Sequence, residues 1–155
     1  MHKEYPDSLP LHVSDEERLA RAIFHPFHLT DTGKLKPAAF RAPSGRRDVS
    51  VNRLVALSPD TCKARARAIT NPGTFRGFAV IAALTVRQCG SDVVDSRELY
   101  LGHADITHDT VLQKNEPAPP EFNARLKRMV TGASYCPDPA PETETWSGRD
   151  LSISI

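Results

Sequence analysis

The chain has 155 residues, 39% hydrophobic and 25% charged, which suits one soluble globular domain that can bury a core without disulfide or metal staples. Twenty basic residues against nineteen acidic ones leave a net charge of +1, which excludes the broad positive field of a protein that grips nucleic acid through many phosphates. The longest apolar run, Phe75 to Val86, is well short of the ~20 residues that cross a bilayer, and the charged start has no apolar segment behind it, so neither a membrane span nor a secretory leader is expected.

Taken in order, residues 1–13 carry Pro6 and Pro10 and read as an extended arm whose Leu9, Leu11 and Val13 can lie against the body. Ser14-Asp15-Glu16-Glu17 has the form of a capping box, and Leu19, Ala20, Ile23 and Phe24 recur at helical spacing, so a helix is expected from Ser14 to about Phe24, where Pro26 disfavours continuation. A turn at Asp31-Thr32-Gly33 and a second turn-rich stretch, Ala42 to Asp48, lead into Val49–Leu54, which alternates as a half-buried strand does. Ser58 followed by Pro59 marks the start of a helix over Asp60–Ile69, with small residues on one side and Lys63, Arg65 and Arg67 on a basic other side.

Phe75–Arg87 is expected to be a buried strand, because Gly77 opens it and Val80, Ile81, Thr85 and Val86 are β-branched. A turn at Cys89–Asp92 precedes a strand from Val93, and Ala104–Leu112 adds another short one. Pro120 opens a last helix, Glu121–Val130, with Phe122, Leu126, Met129 and Val130 as its apolar stripe. The proline-rich stretch from Pro137 has the composition of a disordered tail, ending in Trp146 and Leu151–Ile155 as an aromatic anchor and an edge strand. The organisation is therefore an arm (1–13), a domain (14–132) and a tail (133–155). The fold class is α+β, a small antiparallel or mixed sheet with about three helices.

Two constellations carry chemistry. His103 follows Gly102 at a strand end, and Asp105 falls on the same strand face two residues on, where a carboxylate raises the basicity of an imidazole for general-base work. Ser50 and Cys136 are the candidate nucleophiles, although neither sits in a nucleophile elbow. The second constellation is basic: Arg41, Ser44, Arg46, Arg47 and Arg53 combine guanidinium forks, a hydroxyl and turn amides suited to a phosphate or an acidic partner. His25, His28, His103 and His108 are weak metal-ligand candidates, since H-x-x-H here lacks the glutamate of the metalloprotease motif, and no metal or other cofactor is expected.

Cys62, Cys89 and Cys136 are odd in number and form no C-x-x-C pair, so they read as reduced thiols in a cytoplasmic protein. The expected function is a protein-binding or accessory module of a cytosolic complex that contacts its partner through the terminal segments. The alternative is a small enzyme acting on a phosphate-bearing ligand, nucleotide or nucleic acid, with His103 as general base. Nucleic acid is the less favoured partner, and none is expected in a membrane.

Overall fold

The computed structural model describes residues 9–69 and 73–153. The strands are β1 (Arg18–His25), β2 (Asp48–Arg53), β3 (Thr74–Ala82), β4 (Asp92–Asp95), β5 (His103–Thr107) and β6 (Ser134–Pro137). They form one antiparallel sheet in the order β4-β5-β2-β1-β3-β6. Among the described residues three helices, α1 (Pro59–Arg67), α2 (Ala83–Gln88) and α3 (Pro120–Gly132), and two 3-10 turns, Pro37–Phe40 and Leu151–Ile153, complete an α+β fold of the expected class. No helix among the described residues is long and apolar enough to cross a membrane.

The expected helix over Ser14–Phe24 is instead a turn followed by β1. Half of the capping box does form, with the Ser14 amide donating to Glu17 Oε2 at 3.0 Å, but the Glu17 amide donates to the Ser14 carbonyl and closes a turn. The i, i+4 pair Leu19 and Ile23 fits one face of a strand as well as one face of a helix. Ala20, Ala22 and Phe24 occupy the opposite face, so a strand buried on both sides lacks the alternation that would reveal it. Pairing with β3 along all eight residues of β1 outweighs the local signal.

A second difference lies at the end of the apolar run, where β3 stops at Ala82 and residues 83–88 turn into α2. Ala83 and Leu84 favour helix, and the first amides of α2 find acceptors in the turn before β1, Ala83 to the Glu17 carbonyl and Leu84 to the Asp15 carbonyl. By contrast α1 begins as its residues indicate, with Pro59 in the first turn and the Ser58 hydroxyl accepting from the Thr61 amide at 3.1 Å.

The sheet separates two cores. On one face Leu19, Ile23, Val49, Val51, Ile81 and Ile106 pack beneath α2, α3 and the 3-10 turn that carries Phe40. On the other, Ala20, Phe24, Phe78, Val80 and Cys136 are covered by α1 and by the C-terminal segment, through Cys62, Ala66, Trp146 and Leu151. All three cysteines are free and buried.

The proline-rich tail is built into this second face. Residues 134–137 join the sheet as β6, and the chain then crosses α1, where the buried Lys63 ammonium pairs with Asp138 at 2.7 Å and donates to the carbonyls of Ala140 and Thr145. Lys63 therefore belongs to the interior rather than to a solvated basic face. The Trp146 ring lies tilted against Phe78 with centroids 5.3 Å apart, Leu151 is fully buried, and residues 151–153 form a 3-10 turn rather than an edge strand. Ser154 and Ile155, like residues 1–8 of the arm, lie outside the described residues. Within the described part of the arm Val13 is buried and Leu11 is exposed.

Candidate functional site

The second face is covered only in part. Over β2 and β5 the side chains Ser50, Asn52, His103 and Asp105 form a patch, with Asn52 directly opposite His103 and Ser50 directly opposite Asp105. Gly102 positions the start of β5: its φ of +92° and the Leu57 side chain against it leave no room for a Cβ, and its carbonyl accepts from the Arg53 amide at 2.8 Å.

Ser96, between β4 and β5, orients the histidine. Its hydroxyl lies 2.5 Å from His103 Nδ1. A serine hydroxyl can accept from Nδ1–H or donate to a bare Nδ1, so the tautomer of the ring decides the direction of this bond. With the imidazole proton on Nδ1 and given to the Ser96 oxygen, Nε2 is a bare acceptor. Nε2 is buried and has no partner among the described residues. Burial lowers the His103 pKa against the opposing pull of Asp105, which keeps the ring neutral and able to take a proton at pH 7. Burial likewise raises the Asp105 pKa, opposed by His103 and Ser96.

A fork in the sheet supplies a cation. β1 and β2 pair only at Leu19–Arg53 and Ala20–Asn52 and then part. Arg21 bridges the gap, donating from Nε to the Ala39 carbonyl at 2.8 Å and from Nη1 to the Ser50 carbonyl at 3.2 Å. Among the described residues no carboxylate pairs with it, and burial pulls its pKa down to about 10, well above neutral pH, so it remains a cation.

Two adjoining cavities meet at Arg21, Ser50, Leu99 and His103. One, of about 270 Å³, runs beneath α1 along alanines and the Tyr100 ring. The Tyr100 hydroxyl donates to Asn52 Oδ1, and the Arg65 guanidinium lies 3.9 Å from its ring centroid. The other, of about 390 Å³, is polar and reaches Arg46, Asp48 and Glu98.

The basic residues expected to act together are scattered. Arg46 faces this trough, whereas Arg47 lies beside His12 and Asp109 at another hollow, and Arg41 donates to the Glu116 carbonyl. Ser44 is exposed and joins neither cavity of the trough. Arg53 is fully buried, bidentate to Glu17 and paired with Asp95 at 2.6 Å, which commits it to holding the fold instead of a ligand.

The histidines are also apart. His25 is exposed at the end of β1, and His28 Nδ1 accepts from the Phe24 amide, with burial pushing its pKa down to about 4. His108 is satisfied on the opposite face by Ser91 and the Phe40 carbonyl. No group of three potential metal ligands occurs among the described residues. Cys136 is buried under Arg149, away from the trough.

Arg21, Ser96 and Tyr100 were not among the expected site residues. Arg21 has a visible signal, a charge inside the apolar run Leu19–Phe24, once that run is understood as a central strand. Comparison with protein-family models, curated proteins and solved structures finds no match to this chain.

Proposed function

We propose that the trough is the active site of a small enzyme acting on a phosphate-bearing ligand, with His103 as general base and Arg21 holding the anionic group. The observation that carries this reading is the buried, unpartnered Nε2 of an imidazole whose other nitrogen is held by the Ser96 hydroxyl. A buried polar atom without a partner costs stability, and such costs are retained where a ligand supplies the missing bond.

In the reaction, Nε2 removes a proton from a water or hydroxyl as that oxygen bonds to the electrophilic atom of the ligand. The leaving group departs with the bonding electrons and recovers the proton from the imidazolium. The charge of Asp105 stabilises the imidazolium between these steps, and Arg21 meets negative charge in a site partly shielded from water. Ser50, opposite Asp105 and lining both cavities, is placed to meet the ligand or to be the attacking hydroxyl. Partner contact through the tail has less support, because Trp146 and Leu151 are already occupied within the chain.

A panel of phosphate-bearing metabolites, followed by thermal shift and by product formation, tests the proposal. A true ligand raises the melting temperature by mass action, and Arg21→Met removes that rise. His103→Ala should keep binding and lose turnover by roughly 10²–10⁴-fold. Undiminished turnover in His103→Ala would remove the general-base assignment.

A further inference from the structure

Resting on the reading above, the geometry points to a free nucleotide as the ligand class, with its base in the apolar cavity and its phosphate at Arg21. The two cavities differ in chemistry and touch at the residues that would hold the reacting end. Together they fall in the range of roughly 300–1,000 Å³ typical of small-molecule sites.

The apolar cavity suits a flat ring. Ala20, Ala22, Ala66 and Ala68 line it with side chains too short to fill it, and Tyr100 is held in place by Asn52. Leu99 and Ile69 also line it, yet they leave 66% and 49% of their surface exposed, an apolar rim that a bound ring would cover. A bare phosphate or sugar phosphate gains nothing from these surfaces.

The polar cavity suits the rest of the molecule. Arg21, without a carboxylate partner among the described residues, faces the anion together with the exposed Arg46. Asp48 and Glu98 would repel a phosphate placed against them, but as acceptors they match the hydroxyls of a ribose. A site for an apolar ring, acceptors for hydroxyls and cations for an anion in one connected space match the parts of a nucleotide. The net charge of +1 favours a free nucleotide over a polymer.

Calorimetric titration of the full chain with the four common nucleoside 5′-monophosphates, ribose 5-phosphate, inorganic phosphate and a single-stranded oligonucleotide tests this. At least one monophosphate should bind ten-fold or more tightly than ribose 5-phosphate. Ala68→Trp, at an exposed position, should fill the apolar cavity and cancel that advantage while leaving the affinity for ribose 5-phosphate unchanged. Leu99→Ser, also at an exposed position, should reduce the advantage if the tryptophan variant fails to fold.

Equal affinity for ribose 5-phosphate and every monophosphate would overturn the base site while leaving an anion site at Arg21. An oligonucleotide bound as tightly as the best monophosphate would overturn a free nucleotide in favour of a polymer. No binding by any phosphate compound would overturn both this inference and the reading beneath it.

Discussion

Arg53→Ala is expected to lower the unfolding free energy by about 3–5 kcal/mol, measured by urea denaturation at pH 7. The guanidinium makes four hydrogen bonds: two to Glu17, one to Asp95 and one to the Pro10 carbonyl. It ties the turn before β1, the end of β2, the end of β4 and the N-terminal arm into one junction. Its removal leaves the Asp95 side chain, 2% exposed, and the Glu17 side chain, 10% exposed, with a charge each and fewer partners. Arg97 still pairs with Asp95, so the loss should fall short of that for two wholly abandoned carboxylates. Arg53→Lys should recover only part of it, because an ammonium cannot reproduce the fork on Glu17. A loss below about 1 kcal/mol for Arg53→Ala would show that the junction is not sealed from water.

Lys63→Ala is expected to cost a similar amount, about 3–5 kcal/mol, and to release the tail. The ammonium and the Asp138 carboxylate are both fully buried, and the same ammonium gathers Ala140, Thr143 and Thr145 onto α1. Arg67 adds bonds to the carbonyls of Glu142 and Thr143, and Asp60 accepts from the Trp146 amide. Without Lys63, limited proteolysis should cut between residues 138 and 150, where the wild-type chain resists. Lys63→Met combined with Asp138→Asn should regain much of the stability, because no uncompensated charge is left and the acceptor for Ser147 and the Ala140 amide is kept. A double variant no more stable than Lys63→Ala would mean that the buried charge is not the cause. Ligand binding should weaken in Lys63→Ala as well, since α1 forms one wall of the trough.

These two residues also show why parts of the fold were legible and others were not. The starts of α1 and α3 are local events, written in Ser58-Pro59 and in Pro120 with the stripe that follows, and the structure forms both helices there. β1 could not be read locally, because burial on both faces erased its alternation and a capping-box sequence served a turn. The tail resembled a disordered segment because its own residues offer little apolar surface. Lysine and arginine on α1 supply the hydrogen bonds that its carbonyls lack. Arg53 looked like a phosphate ligand only as long as Glu17 and Asp95 were out of view.

The site divides along the same line. His103 and Asp105 share a strand face by the two-residue period of β5, which needs no knowledge of the fold. The placement of Ser50 opposite Asp105 follows from the pairing of β2 with β5, about fifty residues apart in sequence, and no local pattern encodes that register. Arg21 becomes a site residue only because β1 and β2 part after two paired positions and leave its guanidinium between them.

The central claim is that an unprotonated His103 Nε2 accepts the proton of a ligand bound in the trough. Long-range ¹⁵N NMR of the imidazole across a pH titration, without and with a phosphate-bearing ligand, measures this directly. The proton should reside on Nδ1, the ring should titrate below its ordinary value of 6.5, and the Nε2 resonance should move when the ligand binds. A proton on Nε2 at neutral pH, or an Nε2 signal unmoved by a saturating ligand, would contradict the account.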